Sequence, residues 1–163
     1  MIEVRVAHLG LDRDNNSPVV VLQEKDGERV LPIWIGPAEA SAIAMELAGV
    51  KFARPLTHDL LKQIIVGLGA ELRRVTITQV KDNTYFAELL IHRADQIFQV
   101  DARPSDSIAI ALRLKAPIFV DAALLDGKAA DTARRPEGAP LDPQALKNYL
   151  QNLDPEDFGR FNP

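Results

Sequence analysis

A chain of 163 residues with 47% apolar side chains can bury one core, so one domain plus a tail is expected. Its net charge of −4, with acids and bases interspersed, excludes a protein whose chief business is non-specific nucleic-acid binding, because that relies on an excess of Lys and Arg. Cysteine is absent, which excludes disulfides and thiolate metal sites, and with no signal-like or bilayer-length apolar run the expectation is a cytoplasmic protein without a membrane partner.

In chain order, residues 2–11 alternate as a strand and 12–18 carry turn chemistry. Val19–Gln23 and Val30–Ile35 read as hairpin strands around a turn at Lys25–Glu28, with Gly27 placed where φ > 0 is needed and Pro32 pushing its strand to an edge or bulge. Gly36-Pro37 opens a helix that ends near Gly49. After a connector containing Arg54, Thr57 reads as the N-cap of a second helix with an apolar stripe of Leu60, Leu61, Ile64, Ile65 and Leu68, stopped by Gly69. Strands follow at 72–80, 85–91 and 96–101. Arg103-Pro104 then opens a helix apolar on nearly every side, which should be central and buried; Asp106 meets the positive end of its dipole and Arg113 and Lys115 the negative end. Pro117–Val120 reads as a buried strand and 122–125 as a helical turn. The resulting units are a domain over 1–125, a linker over 126–143 and a tail over 144–163 with a short helix and the anchors Phe158 and Phe161.

The Pro104 segment has a counterpart 67 residues earlier. Pro37 meets Pro104, Glu39 meets Asp106, Ala42-Ile43-Ala44 meets Ala109-Ile110-Ala111, and further out Asn16 meets Asn83 and Leu22 meets Leu89. An internal duplication follows, and with it an α+β fold in which two strand–hairpin–helix units share a mixed or antiparallel sheet.

No glycine-rich phosphate loop, paired-His metal helix or nucleophile elbow is present. The chemistry-bearing residues instead sit at strand ends and helix starts. Glu39 and Asp106 each read first as first-turn acids that complement a dipole. Asp101 and Arg103 stand where the first unit has Trp34 and Gly36, and this asymmetry points to a site that folding alone does not require. His58 can act as a base or ligand oriented by Asp59 or Asp101, or can be a plain first-turn histidine. His8 and His92 are assigned no chemical role, Trp34 reads as core or interface, and Arg73, Arg74, Lys81, Arg93 and Arg113 read as solvated charges. A metal-dependent phosphodiesterase needs carboxylates around a divalent cation, a base and a cation for phosphate. Asp101 and Asp106 with Asp59 or Glu39, His58, and Arg103 or Arg54 supply those types.

Taken together, Leu31–Gly36, Glu39–Ala44, Arg54–Leu60, Asp101–Ala109 and Pro117–Val120 resemble, in order and over roughly residues 2–125, the bifunctional nuclease domain of bacteria and plants. The further short helical motif of plant members has no clear copy here. The resemblance implies an α+β domain that cleaves DNA and RNA, and maps the family pattern onto Arg54, Thr57, His58, Asp59, Asp101, Arg103, Ser105 and Asp106. His58, Asp59, Asp101, Arg103 and Asp106 are then the expected catalytic residues, and Arg54, Thr57 and Ser105 the expected substrate-binding ones. The expected activity is a nuclease on DNA and RNA assisted by Mg²⁺ or Mn²⁺, in a homodimer or larger homo-oligomer. The alternatives are a non-catalytic oligomeric module that binds an anion or partner through the same turns, and hydrolysis of a small phosphate ester.

Overall fold

Strands whose apolar residues alternate must lay one face on a second layer, and here that layer is helical. The computed structural model describes residues 1–12 and 16–126, so most of the expected linker and all of the tail helix lie outside the described residues. The strands are β1 (Ile2–Leu11), β2 (Pro18–Glu24), β3 (Val30–Trp34), β4 (Glu71–Lys81), β5 (Thr84–Arg93), β6 (Gln96–Ala102) and β7 (Ile118–Val120); the helices are α1 (Pro37–Leu47), α2 (Thr57–Gly67), α3 (Pro104–Leu114) and α4 (Ala122–Leu125). All seven strands form one mixed sheet in the order β3-β2-β1-β7-β4-β5-β6. Two antiparallel meanders flank β7, which runs antiparallel to β1 and parallel to β4.

The core lies between the helical layer and one sheet face. Val20 and Leu22 of β2, Val75 and Ile77 of β4, Ala87 and Leu89 of β5, and Ile43 and Ile108 of the helices are buried in one cluster. As its composition requires, α3 is central: it packs on α1, α2, β4 and β5 and buries eight of its eleven residues. Each fully buried Leu or Ile in such a cluster contributes about 1.5–3 kcal/mol by removal from water. Pro32 sits in β3, at one end of the strand order.

Several local expectations are corrected. Gly27 does not have positive φ; its missing Cβ leaves room for the Glu24 carboxylate, which would lie 2.2 Å from that atom. Positive φ instead falls on Asp82 and Asn83, at 49° and 59° between β4 and β5, and on Ala94, at 49° between β5 and β6. Lys115, at φ 56°, is the C-cap of α3, one residue beyond its last turn. Thr57 is the first helical residue of α2 and Leu56 precedes it as N-cap, with its amide donating to Asp59 Oδ2 at 3.0 Å. The apolar stripe of α2 faces outward. Leu60, Leu61, Ile64 and Leu68 are exposed, and only Ile65 of the five reaches the core. The reason is position: α2 lies outboard on α3 and touches the sheet at β4, while α1 and α3 occupy the helical side of the sheet.

Candidate functional site

Pro37 and Pro104 start α1 and α3 with their φ angles pre-set, and neither N-cap, Gly36 or Arg103, bonds the helix through a side chain. Residues of the two turns meet. The Arg103 guanidinium donates from Nε to Asp106 Oδ2 at 2.6 Å and from NH2 to Glu39 Oε1 at 2.8 Å. Glu39 folds back over Gly36, where a Cβ would lie 2.3 Å from its Oε2. The contrast between Gly36 and Arg103 therefore has a physical basis: glycine makes room for the acid that the arginine of the other turn binds.

His58 joins from α2. It is 9% exposed, and its Nε2 lies 3.0 Å from Asp106 Oδ1. Burial opposes ionisation of Asp106, but the hydrogen bonds from Arg103 and His58 outweigh it and hold the carboxyl below its usual range. The Asp106 carboxylate in turn raises the pKa of Arg103, with Glu39 adding to the effect. His58, Asp106, Arg103 and Glu39 form one chain of contacts across three helix starts.

The neighbouring pair is different in kind. Arg113, expected to be solvated, is 5% exposed and donates from Nε to Asp59 Oδ1 at 2.7 Å, from NH1 to the Ala109 carbonyl at 3.0 Å and from NH2 to the Ala42 carbonyl at 3.1 Å. It thus fastens α3 to α2 and α1. Both Asp59 oxygens are taken, one by Arg113 and one by the Leu56 amide. Burial raises the Asp59 pKa, but these partners prevail and the net shift is downward. Asp59 and Arg113 fix the N-terminus of α2, and so the position of His58. A lone cation inside an apolar helix was the sequence signal for this role.

The other expected site residues are not joined to the cluster. Asp101 is exposed on β6 directly across from Glu88, itself across from Thr76 on β4. Their β5 neighbours Ala87 and Leu89 face the core, so the pleat turns Glu88 and Asp101 to the side of the sheet away from the helices. Arg54 and Thr57 are exposed, in the connector before α2 and in its first turn. Ser105 is 6% exposed and lines a cleft beside Arg103. Among the described residues no three His, Asp or Glu side chains converge to hold a metal ion. Arg103 takes the place between Glu39 and Asp106 that a cation would need, so the present donor set does not fit Mg²⁺ or Mn²⁺. Among the described residues, no helix is long and apolar enough to cross a membrane.

A sequence profile of the bifunctional nuclease domain matches residues 20–133, a span that takes in every side chain of the cluster. An uncharacterized protein of Mycobacterium tuberculosis is 41% identical over 168 residues, covering 97% of this chain and 98% of its own length. Bifunctional nuclease 1 of Arabidopsis thaliana is 30% identical over 154 residues, 86% of this chain and 47% of the plant protein. Bifunctional nuclease 2 of japonica rice is 33% identical over 144 residues, 84% of this chain and 44% of its own. The chain spans about half the length of these plant relatives. The segments that carry the resemblance build the two proline turns, the start of α2 and β7, and the extent of the profile match leaves one assignment: the chain belongs to the bifunctional nuclease domain family.

Proposed function

We propose that the protein hydrolyses phosphodiester bonds of DNA and RNA, with the His58–Asp106–Arg103 relay as its catalytic group. The observation that carries this reading is the 3.0 Å contact between His58 Nε2 and Asp106 Oδ1. It fixes the ring, leaving Nδ1 for proton exchange with water or a leaving oxygen. Asp106, kept ionised by Arg103, holds the ring through its contact with Nε2. Arg103 uses two N–H groups on the acids, and its remaining donors, on a side chain 65% exposed, meet the charge that builds on phosphorus-bound oxygens. The names of the plant relatives support the reaction class.

The test is cleavage of single-stranded DNA and RNA by wild type, H58A and D106N. Losses of about 10²–10⁴-fold are expected for H58A, the usual weight of a general acid–base group. Unchanged rates in both variants would overturn the assignment. One feature favours a second reading: the acids and Arg103 are already matched to one another, as in a clamp between helices. On that reading the module binds without turnover, and wild type would show saturable binding with no cleavage.

A further inference from the structure

The sheet ends at β6, and among the described residues nothing pairs with that strand's outer side. Edge strands are commonly blunted by proline, lysine, a bulge or a covering helix. The opposite edge, β3, carries Pro32, whose nitrogen has no proton to offer a neighbour. β6 lacks such protection. Its sequence, QIFQVDA, holds no proline or lysine, and it pairs with β5 without a register shift. No helix among the described residues packs on it as α3 packs on β4 and β5. It nevertheless exposes Ile97, Phe98 and Val100, by 66%, 43% and 41%. Phe98 and Val100, across from Ile91 and Leu89, lie on the helical side of the sheet, and Ile97 lies on the other. An unbroken edge with apolar groups on both faces is a surface open to another strand.

The ladder and the charges along it select the occupant. β5 and β6 are joined by Ala94 and Asp95 alone, so Arg93 and Gln96 close the hairpin as a hydrogen-bonded pair. By alternation Phe98 and Val100 then bond to β5, while Ile97, Gln99 and Asp101 turn their N–H and C=O groups outward. We propose that this edge pairs with β6 of a second copy of the chain, antiparallel about a two-fold axis at Gln99, so that the two sheets become one. That register matches the whole of β6, from Gln96 to Ala102, against itself. It sets Phe98 against Val100 of the partner subunit, an aromatic and β-branched pair on the helical face, and brings Asp95 toward Arg103 of the partner subunit. A register centred on Phe98 would instead oppose Asp95 to Asp101 and Arg93 to Arg103, like charges at both ends. One centred on Val100 would shorten the ladder and set Ile97 against Arg103. The favoured register lays the β5–β6 turn of each copy beside the Arg103 turn of the other, so each candidate site is bordered by its partner. The pairing holds whether or not the chain cleaves nucleic acid.

The full-length protein is followed by sedimentation velocity from about 1 to about 200 µM, and wild type should be dimeric at the upper concentrations. Q99P removes an outward N–H without touching the ladder to β5, and I97K places a charge on the open edge. Each should weaken association by about tenfold or more while keeping the wild-type circular dichroism spectrum. The chain has no cysteine, so a single introduced one reports on its own position. Q99C should bridge two copies on mild oxidation, because Cα atoms of a hydrogen-bonded pair lie about 5.5 Å apart, within disulfide reach. I97C, about 13 Å along the strand from its counterpart, should not. Four results would overturn the proposal: a wild type still monomeric at the highest concentration, a dimer that survives both Q99P and I97K, dissociation by I64K on α2 but not by the β6 variants, or bridging by I97C and not by Q99C.

Discussion

Replacing Arg113 with Met keeps much of the side-chain volume inside the helical layer but removes the cation that faces Asp59. The loss can be worked from the contacts. The arginine side chain is 3% exposed and the Asp59 side chain 33%, so one partner is fully desolvated and the other keeps partial access to water. Breaking a wholly buried pair costs about 3–5 kcal/mol, and the access of Asp59 to solvent reduces this to about 2–3 kcal/mol. The carbonyls of Ala42 and Ala109 lie within helices and add little when released. For a domain of this size the loss corresponds to a fall in Tm of about 10 °C. Urea denaturation of wild type, R113M, D59N and D59N/R113M gives the coupling energy directly, and about 2 kcal/mol is expected because the double variant leaves no unpaired charge. R113M should also lower nuclease turnover more than a destabilised but folded enzyme would, since the pair positions the helix start that carries His58. A cost below about 1 kcal/mol for R113M, or simple additivity in the double variant, would refute the argument that this pair organises the helices.

Other outcomes follow from the same contacts. Asp59 and Asp106 both have folded pKa values below their unfolded ones, so the unfolded chain binds more protons as the acid range is entered. Their contribution is complete above about pH 5, where unfolded carboxylates are ionised, and is lost as pH falls through the depressed folded values; urea midpoints from pH 6 down to pH 3 should drop for wild type and drop less steeply for D59N. D101N should cleave DNA within about twofold of wild type, because Asp101 stands on the opposite sheet face from the cluster, and a tenfold loss would reinstate it. Chelation with EDTA should likewise leave cleavage within about twofold; a tenfold loss would mean that Arg103 yields Glu39 and Asp106 to a cation in the working enzyme. G36A forces the flexible end of Glu39 aside at a cost of about 1 kcal/mol or less, and should appear as a loss of the Glu39–Arg103 contact in a crystal structure of the variant rather than as unfolding.

Local patterns carried most of the fold into view. Proline at a helix start, the alternation of β1 and β5, and the unbroken apolar surface of α3 are each short-range signals, and each element appears where those signals place it. The α2 stripe misled because amphipathicity reports only that a face is apolar; it cannot say that α1 and α3 have already covered the sheet. At the site, the contrast of Gly36 with Arg103 was legible and meaningful, since the two turns meet. The parallel contrast of Trp34 with Asp101 was legible too, but the period-two pleat of β6 turns Asp101 to the sheet face away from the helices, apart from the cluster. The contacts of His58 with Asp106 and of Arg113 with Asp59 span 48 and 54 residues, and only the packing of α2 across α3 brings them together.

The three-residue strand β7 has a consequence for how the chain is made. Among the described residues it alone bridges the two meanders in the sheet, and it follows the other six strands in sequence. Until residues 118–120 leave the ribosome, β1 and β4 each present an unpaired edge, and the halves have no shared ladder. Closure then requires β7 to reach back to Ile2, among the most distant pairings in the described chain. Such long-range pairing is slow, and exposed edges invite pairing with other chains meanwhile. A nascent chain stalled just short of Pro117 should therefore be captured by strand-binding chaperones, and one stalled well past Leu125 should resist protease.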